Sequence, residues 1–133
     1  MDFGTKVHEV LEQLDFINPE LNNINLPEWN LTRVKKFLET DIIKENLNNK
    51  MYKEYEFTYL EDNNYSHGII DLLIETPTKM IIIDYKLKGI TDENYDKQLN
   101  GYRKVIKDKT NKEVECYLYS IMDNCFRKVD KQD

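Results

Sequence analysis

The chain has 133 residues, carries a formal net charge of -6 and is 40% hydrophobic. This length suits one domain with a single core, and the apolar content is that of a globular rather than a disordered chain. The acidic balance argues against a broadly basic surface for nucleic acid, although it leaves room for a small basic groove beside an acidic site.

The first third of the chain predicts two helices separated by a loop. Residues 4–16 place Val7, Leu11 and Leu14 on one face at helical spacing. A stretch rich in asparagine and proline follows, which is typical of a loop. Apolar residues then recur on one face over roughly 31–48, which predicts the second helix.

The rest of the chain predicts strands with one helix among them. Residues 52–60 alternate aromatic and polar side chains, which is the period of a half-buried strand. Turn-forming residues follow at 61–68, and we place His67 there as a loop residue. The remaining predicted elements, in chain order, are strands at 66–75 and 79–87, a helix at 92–108, and strands near 114–121 and 125–129. The element order is ααβββαββ.

Membrane insertion and secretion are not indicated. No apolar run approaches the roughly 20 residues that span a bilayer, and the N-terminus lacks the basic and apolar pattern of a signal peptide. Cys116 and Cys125 do not have the spacing of a cysteine metal site. A disulfide between them is possible, but we favour two reduced thiols in a cytoplasmic protein.

Two apolar strands carry charges where core residues would be expected. Asp71 lies within the run GIIDLL, and Asp84 follows the run MIII, with Lys86 two residues further on. Because side chains alternate along a strand, Asp84 and Lys86 share a face and Tyr85 points the other way. A hairpin would bring Asp71 beside Asp84, where the two carboxylates repel each other unless a divalent cation joins them. Oxygen ligands of this kind suit Mg²⁺.

A purely structural alternative stays open for these charges. Asp71 and Lys86 would then form an ion pair at the rim of the sheet, with Asp84 in solvent. We favour a site because three such residues occur in one arrangement. Lys86 could also offset charge that develops on a phosphate.

The same residues carry a resemblance to a known family. Asp71, followed by the tripeptide Asp84-Tyr85-Lys86, resembles the motif of the PD-(D/E)xK nucleases. GIIDLL is similar to the first acidic strand of the RecB-like branch, and YDKQLNGY is similar to its QxxxY helix. GTKVHEVLEQLDF resembles its N-terminal helix, on which His8 takes the place of a metal-binding histidine. All four pieces occur in the order of the family.

Within this family the sequence most resembles the C-terminal nuclease domain of AddA-type helicase–nuclease subunits. The N-terminal helix and the segment EYEF favour that likeness, with Glu54 at the position of a family glutamate. Leu87 and Glu56 depart from the common pattern, and neither replaces a metal ligand. Related RecB-like nucleases hold an iron–sulfur cluster with four cysteines, so two cysteines imply that no such cluster is bound here.

The resemblance implies a fold and a set of site residues. We expect one domain over 1–133 of the restriction-endonuclease-like α/β class, with a mixed central β-sheet flanked by helices. Lys86 would position the attacking water and, with the two aspartates, form the catalytic group. Mg²⁺, for which Mn²⁺ would substitute, has these implied ligands: His8, Asp71, Asp84 and the carbonyl of Tyr85. The implied residues for DNA contact or for support of the site are Gln98 and Tyr102.

The implied activity is metal-dependent hydrolysis of DNA phosphodiesters by an exonuclease. Its substrate would be single strands fed by a helicase during repair of double-strand breaks. The implied partners are DNA, the helicase domain of the same parent chain and an AddB-like subunit. Two alternatives stay open, namely a stand-alone nuclease of a phage or mobile element, and a non-catalytic module that binds DNA or a partner.

Simpler roles also stay open for single residues. Tyr102 falls close to the apolar face of its helix, so core packing would explain it. Glu54 could support the metal ligands or could be solvated on the polar face of its strand. His8, without the resemblance, would be an ordinary helix residue.

Overall fold

A five-stranded β-sheet forms the centre of the protein. The structure is a computed structural model that describes residues 3–23 and 25–132. In the sheet the strands follow one another in sequence order; β3 and β4 pair in parallel, and the other neighbouring strands pair antiparallel. The strands are β1 (Lys50–Glu61), β2 (Asn64–Glu75), β3 (Lys79–Lys86), β4 (Glu113–Ser120) and β5 (Cys125–Val129). The predicted mixed sheet is confirmed.

Helices cover both faces of the sheet. They are α1 (Phe3–Gln13), α2 (Glu28–Leu38), α3 (Asp41–Glu45) and α4 (Glu93–Thr110), with a short 3-10 helix at Leu21–Asn23. The parallel pairing of β3 and β4 requires a crossover, and α4 provides it. Asp92 caps α4 by accepting a 2.9 Å hydrogen bond from the Asn94 amide. Among the described residues, no helix has the length and apolar character to cross a membrane.

Two apolar clusters on opposite faces of the sheet hold these layers together. The first joins α1, α2 and α3 to the sheet through residues such as Leu11, Phe37 and Ile83. The second joins α4 to the other face through residues such as Leu99 and Ile82. Neighbouring residues of β3 therefore supply opposite cores, which explains the continuous apolar run that precedes Asp84.

The structure corrects the prediction of one helix over 31–48. Two helices occupy this region, and the break falls between Leu38 and Asp41. Thr40 is extended at this point, and its hydroxyl donates a 2.7 Å hydrogen bond to the Phe37 carbonyl. A threonine side chain that bonds the backbone locally competes with continued helix, which accounts for the break.

The predicted turn at 61–68 is also too long. Only Asp62 and Asn63 connect β1 to β2, and both have positive φ, as a tight two-residue hairpin requires. His67 is consequently a strand residue opposite Thr58 rather than a loop residue. Both cysteines are free thiols, with Cys116 buried in the second cluster.

Candidate active site

The hydrogen-bonded pairing of β2 with β3 stops one residue short of the two aspartates. The last pair is Leu72 with Ile83, and continuing this register would place Asp71 opposite Asp84. The ladder opens there, and the Tyr85 amide instead donates a 2.8 Å hydrogen bond to Asp71 Oδ2. A carboxylate thus satisfies a backbone group that the neighbouring strand leaves unpaired.

Glu54 lies at the same level on β1. The pairs Lys53 with Leu72 and Tyr55 with Ile70 flank it, so the register places Glu54 opposite Asp71. Its φ of 49° is in the left-handed region, which a residue with a side chain adopts at a cost of about 1–3 kcal/mol.

Strand β1 also changes, at this level, the face of the sheet towards which its alternate side chains point. Met51 packs on the first cluster, whereas Tyr55 packs on the second. Residues four apart on a regular strand would face the same side of the sheet. The unusual backbone of Glu54 lies between them and accounts for the change of face.

Helix α1 brings His8 to these carboxylates. Its Nε2 atom lies 2.8 Å from Asp71 Oδ1 and 3.4 Å from Glu54 Oε1, and its ring meets the Tyr85 ring edge-on at 5.6 Å. The hydrogen bond with Asp71 raises the pKa of His8 above its usual value, and the charges of Asp71 and Glu54 add to the rise against the effect of burial.

Asp84 is a buried carboxylate in an unfavourable electrostatic setting. Only 8% of the residue is exposed. Burial, followed by the charge of Asp71, raises the pKa of Asp84 to about 7, although Lys86 acts in the opposite direction. The Oδ2 atom of Asp84 lies 3.1 Å from Lys86 Nζ, yet among the described residues no hydrogen bond of good geometry reaches this buried oxygen.

These observations fit a site for a divalent cation. One donor atom each from His8, Glu54 and Asp71 lies within 4.8 Å of the others. Burial raises the pKa of Glu54, as the charge of Asp71 also does, although the charge of His8 acts in the opposite direction. Asp84 lies outside that group of three but interacts with Asp71, and its Oδ2 has unused acceptor capacity. Glu54 therefore joins the predicted set as a candidate ligand.

Lys86 is held on the face predicted for it. Its Nζ lies 4.3 Å from the centroid of the Tyr95 ring, in addition to the contact with Asp84. The carbonyl of Lys86 accepts a 2.8 Å hydrogen bond from the Ile121 amide, which fixes the end of β3 against the chain that follows β4. Burial would lower the pKa of Lys86, but the charge and hydrogen bond of Asp84 raise it overall.

Gln98 and Tyr102 contact each other beside the site. Gln98 is exposed, and its Nε2 donates a 3.3 Å hydrogen bond to the Tyr102 hydroxyl. Tyr102 is only 7% exposed and meets the Phe57 ring edge-on at 5.1 Å. A Cβ at Gly68 would lie 2.5 Å from the Phe57 ring, so this glycine permits the close packing. Tyr102 consequently offers no open face on which a base could stack.

Sequence comparisons identify relatives for this site and fold. The chain is 34% identical to the A subunit of the ATP-dependent helicase/nuclease from Ligilactobacillus salivarius, over 71% of its own length. It is 33% identical to the protein of the same name from Clostridium beijerinckii, over 86% of its length. The chain is a relative of the AddA subunits. The predicted resemblance to their RecB-like nuclease domain is confirmed.

The chain spans about a tenth of the length of these curated relatives, namely 9% and 11%. No protein-family model matches it. The crystal structure of a candidate exonuclease from Eubacterium rectale superimposes on the whole chain with a TM-score of 0.60, at 14% identity and over 60% of that protein. The restriction-endonuclease-like α/β fold is confirmed.

The sequence interpretation understated two residues. The sequence leaves the role of Glu54 open, and its position in EYEF within the AddA-like pattern is the signal that points to the site. The spacing of Tyr95 on the predicted helix is explained by core packing alone, and the structure adds its contact with Lys86. Tyr95 and Gln98 are three positions apart, which places them next to each other on one helix face.

Proposed function

We propose that this chain is a metal-dependent nuclease domain that hydrolyses DNA phosphodiesters. The observation that carries the proposal is that donor atoms of His8, Glu54 and Asp71 lie within 4.8 Å of one another. The buried Asp84 and its ion-pair partner Lys86 lie next to them. Kinship with the helicase/nuclease subunits supports it. A structural ion pair alone does not require a third carboxylate and a histidine at the same place.

The residues that would hold Mg²⁺, or Mn²⁺ in its place, are His8, Asp71, Asp84 and the carbonyl of Tyr85, with Glu54 as an additional candidate. A cation held there would polarise the phosphate and lower the pKa of a water molecule. The Tyr85 amide keeps Asp71 in place, and the two strands fix the aspartates rigidly. Such a preformed arrangement reduces the cost of organising charge during reaction.

Lys86 would act as the catalytic cation of the chain itself. An ammonium group can position the attacking water and stabilise negative charge on the phosphate. Because its pKa is raised by Asp84, Lys86 stays charged at neutral pH and serves as an electrostatic group. Asp71 and Asp84 would complete the catalytic group by holding the cation, which would act on the phosphate and the water.

Gln98 and Tyr102 would support the site from α4. A groove of about 850 Å³ runs between α4 and the end of the β1–β2 hairpin, and Gln98 forms part of its wall. The exposed amide of Gln98 is suited to contact a DNA strand in this groove. Tyr102 would anchor Gln98 through its hydroxyl group, so its role is support rather than base stacking.

In its biological setting the domain would cut single strands supplied by a motor. The AddA-like parent chain would provide the helicase, and an AddB-like subunit would be the partner in repair of double-strand breaks in the cytoplasm. Exonuclease action follows from such feeding, because the strand reaches the site end-first. The wider activity of the relatives is part of this proposal, since the chain corresponds to about a tenth of their length.

A cleavage assay on the purified chain tests the proposal. A labelled single-stranded oligonucleotide should be cut in the presence of Mg²⁺ or Mn²⁺ and left intact with a chelator. Products ending in 5′-phosphate and 3′-hydroxyl are expected. Metal-independent cleavage would refute the proposed chemistry, whereas DNA binding without cleavage in any metal would favour the non-catalytic module.

A further inference from the structure

Tyr95 lies against the ammonium group on which the proposed cleavage depends. The distance from Lys86 Nζ to the centroid of the Tyr95 ring is 4.3 Å, well inside the roughly 6 Å over which a ring attracts a cation. The same nitrogen lies 3.1 Å from Asp84 Oδ2. An aromatic face and a carboxylate therefore hold the Lys86 ammonium from two sides.

A bound cation would weaken the attraction between Asp84 and Lys86 but not the attraction between the Tyr95 ring and Lys86. Asp84 is a proposed cation ligand, and a carboxylate that shares its charge with a cation attracts a second cation less. The Tyr95 ring is uncharged and contributes no donor to the proposed ligand set, so its attraction for Lys86 does not depend on that set. With a cation in the site, the ring would therefore be the contact that continues to restrain the long lysine side chain.

The first turn of α4 is fixed in a way that suits this task. Arg127 on β5 donates to the Asp96 carboxylate, with 3.1 Å from Nη1 to Oδ2, and its Nε donates to the Ile90 carbonyl. One side chain thus ties the loop after β3 and the start of α4 to the edge of the sheet. Tyr95 is the residue next to this clamp, so its ring is carried on an anchored backbone.

We propose that Tyr95 is a positioning residue of the nuclease site, whose ring face holds the Lys86 ammonium in place for the reacting phosphate. The inference rests on the proposed function, in which Lys86 acts on that phosphate. Tyr95 also packs on the second apolar cluster. A useful test must therefore separate the ring face from ordinary packing.

The test compares Tyr95→Phe and Tyr95→Leu in the full chain, with Tyr117→Leu as the control. Phe keeps a ring, whereas Leu fills similar space without one. Tyr117 is a half-buried tyrosine on β4 that meets Phe126 edge-on and packs on the first apolar cluster, on the face of the sheet opposite to Tyr95. The readouts are kcat and KM for a single-stranded oligonucleotide, Mn²⁺ affinity by calorimetry, and the NMR shifts of the Lys86 side chain.

Tyr95→Leu should lower kcat by roughly 3–30-fold, the range that a cation–ring contact gives, with KM and Mn²⁺ affinity unchanged. Tyr95→Phe and Tyr117→Leu should stay within about 2-fold of the wild type. In the metal-free wild type the Lys86 ε-methylene protons should be shifted upfield by the ring, a shift kept in Tyr95→Phe and lost in Tyr95→Leu.

The controls keep two failures apart. If the wild type does not cut DNA, or if Lys86→Ala cuts as well as the wild type, then the proposed function fails. If the wild type cuts and Lys86→Ala does not, a Tyr95→Leu variant with unchanged kcat overturns the positioning role. Lys86 protons without a ring shift in the wild type also overturn it, whether or not the leucine variant folds.

Discussion

The two ends of β3 carry the same kind of ion pair in opposite electrostatic settings. At the first end, Lys79 Nζ lies 3.0 Å from Glu115 Oε1, and at the last, Lys86 Nζ lies 3.1 Å from Asp84 Oδ2. Burial would raise the pKa of Glu115, but the hydrogen bond and charge of Lys79 bring it below its usual value. Burial and Asp71 raise the pKa of Asp84 to about 7 in spite of Lys86.

The difference shows that an ion pair alone does not mark a functional site. Glu115 has a second lysine, Lys128, at 3.4 Å, and its charge is balanced. At Asp84 a second carboxylate takes the place of a second cation, so negative charge remains uncompensated in a buried place. Folding alone would not favour that arrangement, whereas a cation site requires it.

Cleavage should separate the two lysines most sharply. Lys86→Ala should lose about 10²–10³ in kcat, the typical effect of removing one electrostatic group from a reaction centre. Lys79→Ala removes an equally close ion pair from the other end of the strand and should stay within about 3-fold of the wild type. Single-turnover cleavage with saturating Mg²⁺ is the measurement. Equal losses in both variants would mean that Lys86 acts only through the stability of the sheet.

Metal binding should separate the two carboxylates. Asp84→Asn removes a proposed ligand charge and should weaken Mn²⁺ binding about 100-fold or more in calorimetry. The same change in the control, Glu115→Gln, should leave the affinity unaltered. An Asp84→Asn protein with wild-type affinity would remove Asp84 from the ligand set and leave His8, Glu54, Asp71 and the Tyr85 carbonyl.

Asp84→Asn, which should weaken metal binding, should at the same time stabilise the metal-free fold, whereas Glu115→Gln should not. At pH 8 and without metal, Asp84→Asn should raise the free energy of unfolding by roughly 1–3 kcal/mol, because it removes a charge whose pKa burial has raised. Glu115→Gln should be neutral or lower the stability slightly, since it breaks a balanced surface pair. Urea denaturation at pH 8 measures both values, and a destabilised Asp84→Asn would contradict the strain inferred for this carboxylate.

The pH dependence follows from the raised pKa values of Asp84 and His8. A group whose pKa is higher in the folded state stabilises the fold below its unfolded pKa and loses that contribution as pH rises through the folded value. For Asp84 this loss falls between about pH 4, near its usual value of 3.8, and its raised value of about 7. His8 has the same sign and loses its contribution above its usual value of 6.5.

Metal binding has the opposite slope, because ligands must be deprotonated. From pH 6 to pH 8 the Mn²⁺ affinity should rise about 10-fold or more, and the increase in melting temperature caused by Mn²⁺ should grow with it. Asp84→Asn should flatten this profile, whereas Glu115→Gln should leave it unchanged. A wild-type affinity that is constant from pH 6 to pH 8 would argue against both His8 and Asp84 as ligands.

The sequence predicted one end of β3 better than the rest of the site. Asp71, Asp84 and Lys86 interrupt apolar runs that are typical of strands. Alternation along a strand is enough to predict that Asp84 and Lys86 share a face of the sheet and that a hairpin brings Asp71 beside them. The position of Glu54 depends on its left-handed backbone, which reverses the faces of the following residues of β1. A pattern of alternating residues does not predict such a conformation. The break near Thr40 likewise depends on one local hydrogen bond. Local sequence patterns thus predict the regular strand pairing. The irregular backbone that brings Glu54 to the site is visible only in the three-dimensional structure.

DNA binding should show the smallest effects, and they concern the surface around the site rather than its centre. The groove beside Gln98 contains Lys97, Lys104 and Lys109, but also Glu61, Asp62 and Asp108. With the net charge of -6, these mixed charges can neutralise only a few phosphates. A site that contacts two or three phosphates of a single strand should lose roughly 7–20-fold in affinity between 50 and 200 mM salt.

The measurement is a titration of oligonucleotides with the cleavage-dead Lys86→Ala protein at these two salt concentrations. Single strands should bind more tightly than duplexes, because an unpaired strand can enter a narrow groove. Lys97→Gln should weaken binding a few-fold and reduce the salt dependence, since one phosphate contact is lost. Lys79→Gln, at the other end of β3, should change neither quantity. Tight duplex binding that is insensitive to salt would contradict this account and favour a stand-alone nuclease, which must find DNA without a motor to raise its local concentration.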